Sequence, residues 1–217
     1  MKIRTRAIFS WGITVILVLF FGSPSWAFAK KGPKISVGND PFLKEGSPEL
    51  VLVEVSDFQC IVCARGAGDV MPQVYDKFIR TGKVELIYLD LPLHKDSFKA
   101  AEAAGCAGDQ GKFWEMHDRL FENLQALGPD QLPGYAEEIG LDVAAFRKCL
   151  DSGRQAGGIR EDMRVAQILG FTGTPAFVLG RRLPGSDKVQ VLESFQGLPP
   201  YEELEKKINA LLAPQTP

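Results

Sequence analysis

Cys60-Ile61-Val62-Cys63 is the stretch of this sequence that carries chemistry. Two cysteines three positions apart, where an apolar strand gives way to a helix, put both sulfurs on one side of the first turn, within reach of a disulfide. At that position the unpaired backbone N–H groups and the helix dipole favour a thiolate on Cys60. Such a thiolate is both the attacking form and a good leaving group in thiol–disulfide exchange. Cys63, one turn inward and shielded, then resolves a mixed disulfide formed through Cys60. A zinc site is the alternative for a lone CxxC. It would have to recruit Cys106, Cys149, His94 or His117 from distant segments, because no second CxxC or CxxH exists. A purely structural CxxC disulfide closes too little chain to stabilise much. The expectation is redox chemistry at Cys60 and Cys63, with no metal and no cofactor.

Other residues have a place around that pair. Glu54 interrupts the apolar strand Leu50 to Val55, six positions before Cys60. Buried there, its carboxyl has a raised pKa and can carry protons to and from Cys63. On an edge strand it would simply be solvated. Thr174-Pro175 lies between a glycine-bearing turn and a strand, a position that suits either a cis bond or an ordinary trans proline. Cys106 and Cys149 stand 43 positions apart. Four cysteines allow three pairings, and 106–149 is the partner of a self-contained 60–63 pair. That bond would stabilise by about 4 kcal/mol through chain entropy; the alternative is two buried free thiols. His94 follows a strand, in a loop near the dithiol. His117 falls on the apolar face of its helix and reads as packed rather than catalytic.

The elements that must hold these residues read as strand, helix, strand, helical block, strand, strand, helix. A short strand at Ile35 to Val37 precedes the apolar strand Leu50 to Val55. A helix from about Cys60 to Arg80 follows, with a kink expected at Pro72. Val84 to Leu89 is a second strand, and helices fill about 96 to 170. TPAFVLG and VQVLESFQG form a hairpin about LPGSDK, and Pro200 opens a last helix at its first helical position. A β-α-β unit, a hairpin and a helix make an α/β fold with an inserted helical layer, at about 95–170.

The composition sets the setting. Of 217 residues, 45% are hydrophobic and 24% charged, which excludes a disordered or coiled-coil chain. Residues 1–29 hold three basic residues, Lys2, Arg4 and Arg6, and no acid. The apolar run Ala7 to Gly22 and the small residues of Ala27-Phe28-Ala29 complete the pattern of a secretory signal peptide, with cleavage expected after Ala29. An uncleaved anchor is the alternative, though 16 residues is short of the ~20 a span needs. The remainder, 30–217, is one domain with a net charge of −5, which repels a phosphate backbone and disfavours nucleic acid as a partner. Export puts the cysteines where disulfides persist, in the periplasm or another extracytoplasmic space.

CxxC at a strand-to-helix junction, a late Thr-Pro and helices between them resemble the thioredoxin superfamily. The segments SDFQCxxC, GKFWEMHDRLF and GFTGTPAFVLG, in this order, resemble its DsbA-like branch of exported thiol:disulfide oxidoreductases. The resemblance implies a thioredoxin fold, with a central mixed sheet flanked by helices and an inserted helical subdomain. It implies Cys60 as nucleophile, Cys63 as resolving cysteine and Glu54 as the buried acid. Pro175 becomes the cis-proline facing the dithiol, Thr174 its variable predecessor, and Cys106–Cys149 the second disulfide of some members. It implies re-oxidation by a quinone-linked membrane partner of DsbB or VKOR type. Ile61-Val62 departs from the proline or histidine that many relatives carry there, which bears on oxidant strength.

The function expected is therefore exchange of disulfides with cysteines of exported proteins, with net oxidation, in protein folding. Two rivals remain: an extracytoplasmic reductase or isomerase, and a copper-binding protein holding Cu(I) between thiolates. An isomerase usually carries a separate dimerisation domain, and scarce methionine weighs mildly against copper.

Overall fold

The computed structural model describes residues 32–38 and 40–213. The expected signal peptide, its cleavage position and the possible anchor lie outside the described residues. Among these, no helix is long and apolar enough to cross a membrane.

Six strands form one sheet in the order β1-β6-β5-β3-β4-β2. They are β1 (Lys34–Ser36), β2 (Phe42–Leu43), β3 (Leu50–Ser56), β4 (Val84–Asp90), β5 (Ala176–Arg182) and β6 (Lys188–Gln196). Only β3 and β4 run parallel; the other pairs are antiparallel. β3 lies at the centre, buried along its whole length, because its alternate residues meet helices on both faces. Val51, Val53 and Val55 pack with Val165 and Ala166 of α7 (Ala156–Ile168). Leu50 and Leu52 pack with Val74, Phe78 and, from α8 (Tyr201–Leu212), Leu204 and Ile208.

The helix after β3 is segmented. α1 (Ile61–Arg65) and α2 (Met71–Val74) are each followed by a π turn, Gly66–Val70 and Tyr75–Ile79. Pro72 has no N–H to continue the ladder, so the expected kink takes the form of a register change. Met71 N donates to Gly66 O, five residues back.

Between β4 and β5 stand α3 (Ser97–Gly108), α4 (Phe113–Glu122), α5 (Leu132–Glu138), α6 (Val143–Ser152) and α7. Their core gathers Ala100, Ala104, Met116, Leu120 and Phe146. Cys106 of α3 and Cys149 of α6 are joined within it, with Cα atoms 5.8 Å apart. The whole is the mixed-sheet thioredoxin fold with helices about it.

Details differ from the sequence expectation. β1 begins one residue earlier, at Lys34. β2 falls in a stretch read as turns, since two residues pairing with Leu86 and Ile87 leave no periodicity to detect. Pro200 caps the last helix rather than opening it; its ψ of 149° is extended, which suits a residue outside the helix. Gly180 sits at an irregularity between β5 and β6, where a Cβ would come within 2.7 Å of Gln190 O.

Asp40, Asp90 and Asp162 converge where β4 ends against α7, and Asp162 Oδ2 accepts from Asp90 N at 3.0 Å. Burial, followed by the charges of Asp162 and Asp90, pushes Asp40 up to about 9. Burial pushes Asp162 up to about 7, opposed by the bond from Asp90 N. Burial first, then Asp162, holds Asp90 well above its ordinary range. The folded state therefore holds protons that the unfolded chain releases near pH ~4. Their contribution to stability is full below that pH and is lost as pH rises through the folded pKa values. Asp162→Asn, which keeps the acceptor and removes a charge, should be more stable than the parent at about pH 8 and nearly equal at about pH 4. Urea unfolding at both pH values checks this; parallel profiles for the two proteins would refute it.

Candidate active site

The site is built by the crossing from β3 to α1. Asp57 directly follows β3, with its carboxylate fully buried. Its Oδ1 accepts from Gln59 N at 2.7 Å and from the Ser97 hydroxyl. Its Oδ2 accepts from Leu93 N (2.6 Å) and His94 N (3.2 Å), and pairs with His94 Nδ1 at 2.8 Å. Cys60 N donates to Asp57 O at 3.0 Å, closing the turn. Gln59 links the same turn to the start of α3, accepting from Asp96 N at 3.0 Å.

Cys60 is consequently the N-cap of α1, with extended backbone (φ −82°, ψ 118°). Its Sγ accepts from Cys63 N at 3.4 Å, one of the helix's free amides. It also lies 3.5 Å from Thr174 O, to which the thiol donates. Both cysteines are free thiols; Cys60 is 7% exposed and Cys63 wholly buried behind it. Burial pushes the Cys63 thiol up to about 12, a rise opposed by the neighbouring Ser56 and Thr174.

Thr174–Pro175 is a cis peptide. It faces Cys60 because β5 runs antiparallel to β3 with Ala176 opposite Val55, so the residues before β5 lie beside those after β3. The loop is held by Gln196, whose Oε1 accepts from Thr172 N (2.9 Å) and Gly173 N (3.2 Å).

Glu54 lies on the helix-covered face of β3, 3% exposed, on a central strand and not a solvated edge. Burial pushes it up to about 7, against the lowering influence of Ser56. One of its carboxyl oxygens has no hydrogen-bond partner. Glu85, buried in β4, is instead paired at both oxygens by Arg182 (2.9 and 2.8 Å).

Of the residues singled out in the sequence, Cys60, Cys63, Thr174 and Pro175 come together, with Glu54 on the strand leading to them. Cys106–Cys149 belongs to the helical layer. His94 is tied to the turn through Asp57. His117 is buried among aromatic rings, 5.2 Å from both Tyr88 and Trp114, with Nδ1 2.8 Å from Asp118. Sequence reasoning missed Asp57, Ser56 and Gln196. Asp57, three residues before the helix cap, had a detectable signal as a polar turn former; Ser56 and Gln196 had none. Among the described residues no group of three or more His, Cys, Asp or Glu is arranged to hold a metal ion.

Comparison with known proteins bears on the family and the fold. The thioredoxin family profile matches residues 44–198. A probable disulfide bond formation protein D from Bacillus anthracis is 31% identical over 158 residues, covering 66% of this chain and 70% of that protein. The crystal structure of Wolbachia pipientis α-DsbA1 superposes with a TM-score of 0.70 at 22% identity, covering 82% of this chain and 93% of that one. A Na(+)/H(+) antiporter NhaA 1 from Salinispora arenicola is 40% identical over 149 residues, 67% of this chain. The chain spans only 22–24% of the length of such antiporters. The chain belongs to the thioredoxin family.

A surface-edge Cys60 and a buried Cys63 should differ sharply toward electrophiles. Iodoacetamide at neutral pH should label Cys60 and leave Cys63 largely unmodified, with Cys106 and Cys149 protected by their bond. Peptide mapping by mass spectrometry reads this out; comparable labelling of Cys60 and Cys63 would contradict it.

Proposed function

We propose that this chain is exported, that its signal peptide is removed after Ala29, and that 30–217 then works as one domain in the periplasm or an equivalent space. There it exchanges disulfides with cysteines of other exported proteins, with net oxidation of the substrate. The observation that carries the reading is the Cys60 sulfur at a helix N-terminus, between the Cys63 amide and the Thr174 carbonyl. In the oxidised enzyme a substrate thiolate attacks Cys60 Sγ and Cys63 leaves as a thiolate that takes up a proton. A second substrate thiolate attacks the substrate sulfur of the mixed disulfide and releases Cys60. The substrate chain lies across the groove between Cys60 and the 174–175 loop, pairing with loop backbone as an added strand. Ile61, 74% exposed beside Cys60, gives an unfolded chain an apolar foothold. Cys106–Cys149 is a structural bond of the helical layer. A quinone-linked membrane protein of DsbB or VKOR type returns the dithiol to the disulfide.

Glu54 carries the proton that Cys63 gains and loses, since a carboxyl at about 7 exchanges protons readily near neutrality.

Two measurements test the exchange and its direction. Cys63→Ser should accumulate mixed disulfides with exported proteins on non-reducing gels, and Cys60→Ser should not; equal trapping by both removes the assignment. Equilibration with glutathione should place the couple between about −120 mV for DsbA and about −270 mV for thioredoxin, because Ile61-Val62 adds no charge to the helix N-terminus. A value at or below the latter would favour a reductase.

Glu54→Gln should slow turnover near neutral pH by roughly tenfold or more. The parent's folded pKa is raised from 4.5 to about 7, so its stability falls as pH rises through that range. Gln removes that loss, making the variant the more stable protein above pH ~7. Turnover and stability profiles that both match the parent would exclude this role.

A further inference from the structure

Behind Cys63 lies a patch of polar groups that exchange by Cys60 alone does not use. Ser56, wholly buried, projects from β3 on the same face as Glu54 two residues before it. Tyr88, directly beside Glu54 in the β3–β4 register and also wholly buried, adds its phenol. The Ser56 hydroxyl is close enough to the Glu54 carboxyl, the Cys63 thiol and the Tyr88 phenol to lower the pKa of each. Yet Ser56 Oγ, Tyr88 Oη and Glu54 Oε1 make no direct hydrogen bond. Three unpaired polar atoms in one apolar interior are costly unless they serve each other through small displacements or a shared water. Glu54 also borders a cavity of about 290 Å³ whose rim carries the exposed Tyr75, Asp76 and Asp118. The patch thus has a buried end at the thiol and an outer end toward solvent.

From this arrangement we propose that the Ser56 hydroxyl relays the proton between Glu54 and Cys63, with Tyr88 orienting it. The inference rests on the exchange reaction proposed above. When Cys63 leaves as a thiolate, Ser56 donates its proton to the sulfur and takes one from the Glu54 carboxyl. The products are a Cys63 thiol, a Glu54 carboxylate and an unchanged serine. When Cys63 attacks, the proton travels the other way, and Glu54 exchanges it with solvent through the cavity. The titratable groups facing the patch are Glu54 from β3, Tyr88 and Asp90 from β4, Cys60 and Cys63 from the start of α1, and His117 from α4, edge-on to Tyr88.

The test follows reduced protein reacting with oxidised glutathione, quenched in acid and read by mass spectrometry. It resolves formation of the Cys60–glutathione adduct from its resolution by Cys63. Ser56→Ala should form the adduct at the parent's rate and resolve it roughly tenfold or more slowly. Its equilibrium with glutathione should be unchanged, since a relay lowers a barrier without altering the end states. Ser56→Thr, which keeps the hydroxyl, should restore resolution. In the parent the resolution rate should rise as Glu54 ionises, and Ser56→Ala should lose that inflection. Parent-like resolution in Ser56→Ala overturns the relay. Equal slowing in Ser56→Ala and Ser56→Thr, or an equilibrium shift large enough to explain the rate, overturns it in favour of a packing role. Failure of the parent itself to form an adduct brings down the exchange reading instead, and the relay with it.

Discussion

The carboxylate of Asp57 is the constraint on which the site depends. Ending a buried strand and starting a helix within four residues leaves backbone amides pointing into the interior, where an unpaired N–H is costly. Asp57 collects those of Gln59, Leu93 and His94 together with the Ser97 hydroxyl and the His94 ring. One side chain therefore fixes the β3–α1 turn, the loop after β4 and the start of α3 relative to one another. Cys60 acquires its capping geometry as a result, and the Thr174 carbonyl meets it because β5 is the antiparallel neighbour of the same strand.

The electrostatics of the interior divide by partner. Glu85 is neutralised by Arg182, and Asp57 is saturated with donors. Glu54 and the Asp40–Asp90–Asp162 group lack such cations and hold protons instead. Buried acid is tolerated in this fold by three different means: an ion pair, a ring of hydrogen bonds, and protonation.

Much of this was legible from residue order. The all-apolar β3 with one glutamate announced a central strand, and CxxC after it marked the helix start. The Thr-Pro before a hairpin strand pointed to the opposing loop. These signals are local and periodic, so the sequence expresses them. The roles of Asp57 and Gln196 are not local: each side chain serves backbone groups about 20 to 40 positions away, and no periodicity records that. Ser56 looks like any strand-end serine until its neighbours are known. The two-residue β2 is too short to have a pattern.

The π turns give the long helix a property that its sequence conceals. Gly66, Val70, Val74 and Phe78 are all buried, spaced by four. In a regular α-helix that spacing drifts by about 40° at each step, and the last residue would have rotated well off the sheet. Each π turn is wider than an α turn and winds the chain back into phase. The helix behaves as a shaft whose angular setting at the dithiol is kept in step with the core some four turns away. Loss of one residue anywhere along it would show itself as a rotation of Cys63 relative to the sheet, so the length of this helix sets the angle at which the two thiols are presented.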